Sequence, residues 1–264
     1  MSILSVITTV YNAEEFIDES LQSLVEQKFK DFELILVNDG CTDGTRNKLI
    51  NFYNNSPLKS IKFLENQYNI GVPISRNRAI LQAKGDFIAI HDADDISLPS
   101  RFQKQIEIMN NNTAMAVVGG HAIKIDEKGE EIGSINYPAV SAKEMIEILL
   151  TKLLNPFVDP TTIFRKDVFL RVGGYNTKPQ LQTVQDLDLW CRLLVQREML
   201  TNIQEPLIKY RINHKGVTKS RQQEMMSATK FLRDMFIRGH VVKSILQPKM
   251  FQNPCFTEYQ LPKD

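Results

Sequence analysis

The sequence predicts an α/β protein built on a mostly parallel sheet with helices on both faces. Two patterns carry that expectation. Short apolar runs rich in β-branched residues, at positions 3–9, 32–37 and 86–90, alternate with segments whose apolar residues recur at helical spacing. Runs that are apolar throughout, rather than at every second residue, belong to strands buried on both faces. A third observation is chemical: carboxylates gather where these runs end, at Asp39 and at Asp92, Asp94 and Asp95. Open parallel sheets bind ligands beyond the C-terminal ends of their strands, so Asp39 and the Asp92 cluster can share one crevice.

The elements follow in order. Residues 3–9 read as a buried strand. Asn12 comes next as an N-cap with a glutamate three positions on, and Phe16, Ile17, Leu21, Leu24 and Val25 then trace a helix face. The second strand, 32–37, ends at Asn38-Asp39-Gly40, and Thr42-Asp43-Gly44 opens a helix carrying Leu49, Ile50 and Phe52. Residues 60–64 make a third strand candidate. Residues 75–84 read as a helix stopped by Gly85, and the fourth strand, 86–90, runs straight into His91-Asp92-Ala93-Asp94-Asp95. Beyond it the pattern is mixed. Stretches 116–125 and 132–137 flank a hairpin-like turn at Asp126-Glu127-Lys128-Gly129-Glu130. Ser141-Ala142-Lys143-Glu144 is a capping box for a helix reaching about residue 154. A short strand at 161–164, a short helix at 168–172 ended by Gly173-Gly174, a helix at 186–197 and a last strand at 206–212 complete this part. A helical pattern returns from about residue 222, and residues 252–264 look irregular.

The 264 residues suffice for one large α/β domain with a full core, and 42% hydrophobic with 24% charged residues is ordinary for a globular chain. A formal net charge of +1 gives no field that would argue for a nucleic acid partner. No apolar run approaches the roughly 18 residues that span a bilayer. Met1-Ser2-Ile3-Leu4-Ser5 lacks the basic start of a secretory signal. Cys41, Cys191 and Cys255 lie far apart with no metal-ligand spacing, so a reducing, cytoplasmic setting is expected.

Asp92-Ala93-Asp94-Asp95 is the strongest local signal. Three carboxylates within four residues repel one another unless a cation neutralises them, and hard oxygens suit Mg²⁺ or Mn²⁺ shared with substrate phosphates. Read alone, such a motif is about as often a helix cap or a solvated loop. Asp39 can accept from a nucleobase N–H, although a turn aspartate before glycine is the commoner role. Tyr11 can line a base pocket beside Thr9 and Asn12, or simply pack in its loop. Gly71 lets backbone approach a ligand, and Arg76 offers a planar fork to a diphosphate or to the carboxylates. Asp186, near a helix start, is a candidate general base or a residue favoured by the helix dipole. Trp190 sits on an apolar helical stripe and reads as core, with stacking on a sugar as the lesser alternative. Arg211 and His214 follow the last strand, and His214 becomes a metal or phosphate ligand if its loop folds over the crevice.

Assembled in order, these pieces resemble the family-two glycosyltransferases of the GT-A fold, over about residues 2–214. The resemblance is carried by Ile7-Thr8-Thr9-Val10-Tyr11-Asn12, Val37-Asn38-Asp39-Gly40-Cys41-Thr42-Asp43, Asn69-Ile70-Gly71 with Arg76-Asn77, and Asp92-Ala93-Asp94-Asp95. Gly173-Gly174-Tyr175, Gln185-Asp186-Leu187-Asp188-Leu189-Trp190 and Tyr210-Arg211-Ile212-Asn213-His214 complete it. It implies a Rossmann-like central sheet with a C-terminal helical tail, divided into a nucleotide-sugar half (1–110), an acceptor half (111–215) and an extension (216–264). It implies inverting transfer from a nucleoside-diphosphate sugar, most often a UDP-sugar, to a glycan or lipid-linked glycan, in cell-surface polysaccharide or glycan assembly. Nucleotide binding falls by this resemblance to Thr9, Tyr11, Asn12, Asp39, Gly71, Arg76, Asp92 and Ala93. Metal binding (Mn²⁺ or Mg²⁺) falls to Asp94 with His214, and the base to Asp186. Arg211, Gln185 and Trp190 are implied to lie around the diphosphate and acceptor.

Three positions depart from the pattern: Gln185 where glutamate is frequent, Cys41 where serine is usual, and His91 where an apolar residue is typical. Two rival functions fit less well. A sugar nucleotidyltransferase would carry a Gly-rich basic loop after the first strand, which Thr9-Val10-Tyr11-Asn12 is not. A non-catalytic nucleotide-sugar binder would explain Gln185 but not the retained Asp186 and His214. In the tail, Phe231, Met235, Phe236, Val241, Val242, Ile245 and Leu246 interleave with Lys230, Arg233, Arg238 and Lys243. The favoured reading is a helix packed on its own domain; a peripheral contact with the inner membrane face or a homodimer contact are the alternatives.

Overall fold

The computed structural model describes residues 3–152, 154–213 and 221–243, with side chains through 236 in the last segment. Strands β1 (Leu4–Val10), β2 (Phe32–Asp39), β3 (Ile61–Asn66) and β4 (Phe87–Ile90) are parallel to one another. Helices α1 (Ile17–Val25), α2 (Thr45–Asn55) and α3 (Val72–Leu81) connect them. The sheet continues with β5 (Ile96–Ser97), β6 (Met115–Ile125), β7 (Glu131–Ile135), β8 (Ile163–Arg165) and β9 (Met199–Arg211). Its order is β3-β2-β1-β4-β8-β6-β9-β5, with β7 paired to β6. β8 runs antiparallel between β4 and β6, and β6 is parallel to β9.

The continuous apolar runs have the physical cause that the sequence suggests. Leu4, Val6, Leu34 and Leu36 enter one core with Ile17, Leu21 and Leu24 of α1 and with Phe102, Ile106 and Met109 of α4 (Arg101–Asn111). Ile7, Ile35 and Val37, pointing the other way, enter a second core. That core includes Ala79 and Ile80 of α3, Met145 and Leu149 of α5 (Ala142–Lys152), and Leu187, Trp190 and Leu194 of α7 (Gln185–Val195). Each such side chain, fully buried, stabilises the fold by about 1.5–3 kcal/mol before the entropy of ordering is set against it.

Several boundaries differ from the expectation. Asn12 does not cap α1, which starts at Ile17; Asn12 instead takes φ 47° and exchanges hydrogen bonds with Thr42. Gly85 does not stop α3, which ends at Leu81. It lies against β1, where a Cβ would come within 2.7 Å of the Leu4 carbonyl carbon and the Ser5 nitrogen. β9 begins at Met199 rather than near Pro206; the register with β6 shifts around Gly120 and His121, opposite Pro206, as a proline within a strand requires. The capping box at Ser141 and Glu144 forms as read, each side chain bonding the other residue's backbone N–H.

Helix α6 (Lys166–Arg171) precedes Gly173-Gly174, and α8 (Gln222–Lys243) closes the described chain. Ala228, Leu232 and Phe236 of α8 are buried in the second core, and the helix packs on α5 and α7. The tail therefore packs on its own domain over these residues, while Phe231 and Met235 remain exposed. The side chains of Arg238, Val241, Val242 and Lys243 lie outside the described residues, as do Ile245, Leu246 and positions 252–264. Among the described residues no helix is long and apolar enough to cross a membrane.

Candidate active site

The order of the strands brings the predicted residues together. β1 lies between β2 and β4, so the chain reverses its direction across the sheet there and leaves a crevice at the strand ends. Ile7 pairs with Ile90, and the His91 N–H donates to the Ile7 carbonyl (3.0 Å), which brings Asp92 level with the end of β1. Thr9 pairs with Val37 on the other side, two residues before Asp39.

Asp39 is buried, and its carboxylate already accepts three hydrogen bonds: from Asn66 Nδ2 (2.8 Å), Ile70 N (3.0 Å) and Gly71 N (3.1 Å). It holds the Asn69-Ile70-Gly71 loop in place, and Oδ2, with a single donor, retains room for one more. Gly40 makes this closure feasible. At φ +70° a side chain would be strained, and a Cβ would stand 2.3 Å from the Tyr68 carbonyl carbon. Tyr11 is exposed at the rim of the crevice, and Asn12 ties the β1 loop to the β2 loop through Thr42.

Within the carboxylate loop the aspartates have separate surroundings. Asp92 accepts from Arg76 Nη2 at 2.6 Å. Asp94 is partly exposed; burial, and then the neighbouring Asp92, push its carboxyl up to about 6, while Arg211 and a hydrogen bond with Asn213 pull it back. Asp95 is buried and raised well above the usual carboxylate range by desolvation and by its two acidic neighbours. Its Oδ1 accepts from the Arg211 N–H (2.9 Å), and Oδ2 is buried without a partner. Ala93 packs against the first core and keeps the loop down. His91 has a structural account: its ring lies between the hydroxyls of Ser20 (2.9 Å) and Ser97 (3.1 Å), fastening the loop to α1 and β5.

Three more of the residues singled out in the sequence have defined surroundings. Arg211 does not reach over the crevice as a free arm. It is buried and donates to the carbonyls of Asp94, Asp126 and Glu127 and to Glu19 Oε2, with its guanidinium 4.8 Å from the Phe16 ring centroid. It is a brace under the carboxylate loop. Trp190 is core, as its apolar stripe suggests, and does not stack on an acceptor sugar: it is wholly buried, 5.0 Å from Phe157 between ring centroids. Gln185 opens α7, and its Oε1 is buried without a hydrogen-bond partner. His214 lies outside the described residues.

Asp186, in the first turn of α7, receives a hydrogen bond from Asn155 Nδ2. Burial raises its carboxyl; the Leu187 backbone N–H, Arg76 and Asn155 work the other way. Burial, and then the Asp186 carboxylate, raise the Tyr137 hydroxyl above its ordinary value. Arg76 joins Asp92 to Asp159. Its Nη1 donates to Asp159 Oδ2 and its Nη2 to Asp92 Oδ1, both at 2.6 Å, and its guanidinium lies 5.6 Å from the Tyr175 ring centroid. Burial works against the Arg76 charge, but Asp159 and Asp92 outweigh it and hold the cation charged. Asp159 and Asn155 were missed by sequence reasoning. An aspartate before a proline reads as a turn, and only the partner 83 residues away gives it another meaning.

Among the described residues no three His, Cys, Asp or Glu side chains form a ready-made metal cage. The fit to a divalent cation is of another kind. Asp94, held up by burial beside the Asp92 carboxylate, is a hard oxygen donor that a cation would relieve, and Mg²⁺ or Mn²⁺ needs one or two such carboxylates when phosphates complete its shell.

Comparison with known proteins decides the family. The sequence profile described as Glycosyl transferase family 2 matches residues 5–173. The chain belongs to glycosyl transferase family 2. This glycosyltransferase is 31% identical over 260 residues to the O-antigen biosynthesis glycosyltransferase WbnJ of Escherichia coli, covering 93% of each chain. In fold it is similar to Staphylococcus aureus TarS, solved in complex with UDP-GlcNAc, at a TM-score of 0.68 and 17% identity. That match covers 90% of this chain and 71% of the other. It is also similar to the mannosyltransferase PcManGT of Pyrobaculum calidifontis, solved with GDP-Man and Mn²⁺, at a TM-score of 0.62 and 14% identity. Here 93% of this chain and 76% of the other are covered. The glycosyltransferase thus has the GT-A fold, an α/β architecture on a mostly parallel sheet. Family membership sets aside the nucleotidyltransferase and non-catalytic readings.

Proposed function

We propose that this glycosyltransferase moves a sugar, with inversion at the anomeric carbon, from a UDP-sugar to a hydroxyl of a glycan or lipid-linked glycan in cell-surface polysaccharide assembly. The observation that carries the reading is that one cation, Arg76, is bonded to Asp92 of the carboxylate loop and favours the charged form of Asp186, which a different segment supplies. A displacement needs a base on the face opposite the leaving group. In the transfer the anomeric C–O bond to the diphosphate breaks and its electron pair leaves with the phosphate oxygen. A bond from the acceptor oxygen forms on the other face, and the hydroxyl proton passes to Asp186.

Residues 1–110 form the donor half in this reading and 111–215 the acceptor half. Tyr11, Thr9, Asn12 and the remaining acceptor capacity of Asp39 hold base and ribose, with Gly71 and Ala93 giving close backbone approach. Asp94, with His214, would hold Mn²⁺ or Mg²⁺, which supplies charge to stabilise the departing diphosphate. The role of WbnJ in O-antigen biosynthesis, the UDP-GlcNAc held by TarS and the GDP-Man and Mn²⁺ held by PcManGT support a nucleotide-sugar donor, the metal and the polysaccharide setting. The exposed Phe231 and Met235 on α8 support work as a peripheral enzyme at the inner face of the membrane, where lipid-linked acceptors lie.

The test is calorimetric titration of UDP, GDP, TDP and CDP, each with Mn²⁺ and with EDTA. UDP binding that requires Mn²⁺, kept in Asp186→Asn while sugar transfer is lost, is the expected result. No binding of any nucleotide to folded protein sinks the donor site, and undiminished transfer by Asp186→Asn sinks the base.

A further inference from the structure

One short loop holds both sides of the transfer site. Asn155 donates to Asp186, and four residues later Asp159 accepts from Arg76. The loop between them is stiff. Phe157 N donates to Asn155 Oδ1, the Thr161 hydroxyl and N–H both donate to the Val158 carbonyl, and the Thr162 N–H and hydroxyl donate to the Asp159 carbonyl. The aspartate on α7 and the guanidinium on α3 are thus both bonded to this one loop.

The two ends of Arg76 are separately occupied, by Asp92 from the donor side and Asp159 from the acceptor side. Its side chain is 4% exposed, so it has no solvent alternative to these partners. It is also close enough to Asp186 to stabilise that carboxylate's charge. A guanidinium free to turn would form the short bidentate pair it favours with the nearest carboxylate, and a base so paired is a poor proton acceptor. Asp159 is spent on little else. Arg76 is the donor to its Oδ2, and its Oδ1 is buried without a partner, in contrast to Asp39 with its three donors. A carboxylate kept only for local structure would have both of its buried oxygens satisfied.

We propose that Asp159 is a positioning residue of the transfer site. It holds Arg76 between the donor carboxylate Asp92 and the base Asp186, and keeps that cation from pairing with the base. The inference rests on the reading of Asp186 as base. Asp159 also stands as the second carboxylate beside Asp186 in a chain that carries Gln185 next to it.

The experiment compares the full chain with Asp159→Asn and Asp186→Asn. It measures release of nucleoside diphosphate from UDP-N-acetylglucosamine and from GDP-mannose with Mn²⁺, water serving as acceptor, beside calorimetric affinity for UDP and GDP. In Asp159→Asn kcat falls about tenfold or more while nucleotide affinity and donor KM change less than about threefold, since the asparagine keeps the shape but not the ion pair. In Arg76→Lys, whose compact ammonium cannot span both carboxylates, adding Asp159→Asn causes no further loss, because the pair acts as one unit. Unchanged kcat in Asp159→Asn, a kcat that falls only in step with nucleotide affinity, or additive losses in the double variant overturn the inference and leave the base assignment standing. Full turnover in Asp186→Asn overturns both. If Asp159→Asn cannot be purified, Asp159→Glu carries the test: the charge stays, the oxygen moves by one methylene, and kcat falls about threefold or more with nucleotide affinity kept. Wild-type kcat in that variant overturns the inference.

Discussion

The Ser20 hydroxyl lies 2.9 Å from Nε2 of His91 and donates to the Asp92 carbonyl at 3.1 Å, so one α1 side chain fixes two successive residues of the carboxylate loop. Burial, and then the Arg101 cation, push His91 from its ordinary 6.5 down to about 3. The ring is neutral in the fold, while the unfolded chain takes up a proton below about pH 6.5. Between roughly pH 6.5 and 3 the unfolded chain binds more protons, so this residue's contribution to stability is lost as pH falls through that window, by on the order of 5 kcal/mol. Asp94, raised to about 6, acts in the opposite sense. The informative quantity is thus the difference between parent and variant. Denaturant unfolding of His91→Gln at several values from pH 7 to pH 4 should show a shallower loss than the parent; parallel curves would remove the account of His91.

Arg211 braces the loop from below. In Arg211→Met the carbonyls of Asp94, Asp126 and Glu127 lose their donor in a partly buried setting, and stability should fall by about 1–3 kcal/mol. Arg211→Lys should recover little, because an ammonium cannot serve that fan of acceptors. The denaturation midpoint reads the loss, and Mn²⁺-dependent UDP affinity should drop with it. A stable variant that loses only nucleotide affinity would return Arg211 to the role of a phosphate ligand.

Trp190 offers a test of core against platform. Truncation to alanine beside Phe157 should cost about 3–5 kcal/mol, whereas Trp190→Phe should keep the parent's donor and acceptor KM. A raised acceptor KM in a fully folded Trp190→Phe would contradict the burial seen here.

Asp94→Ala should abolish the rise in Tm that Mn²⁺ with UDP gives the parent, since binding to the folded state alone raises the midpoint. An undiminished rise would mean that the cation is held elsewhere.

The first four strands and their helices were largely legible because their information is local. A strand apolar at every position, a carboxylate at its end and a helix after it fit within some thirty residues, and the order of these units determines the parallel sheet. Asp39 and Asp92 could be placed at strand ends without knowing any contact. What stayed hidden depends on distant pairs. Asp159 acquires its meaning from Arg76, 83 residues earlier, and Arg211 from Glu19, 192 residues earlier. Gly85 looked like a helix stop because sequence shows that a side chain is missing, and not that β1 fills the space. The polar stretch Asn202-Ile203-Gln204-Glu205-Pro206 hid the first half of β9, which the register shifts against β6 accommodate.

β8 has one more consequence. Ile163 and Phe164 pair with Ala89 and Ile88 of β4 on one side and with Val118 and Val117 of β6 on the other. The halves that would carry donor and acceptor are thus joined by backbone hydrogen bonds across a shared ladder, with no linker between them. Swinging one half open would break that ladder and expose its N–H and C=O groups, at a cost of several unmade hydrogen bonds. Admission of substrate and escape of product therefore fall to the segments that hang from the strand ends. Exchanging those segments is the route by which such a sheet can acquire a new acceptor while its frame stays as it is.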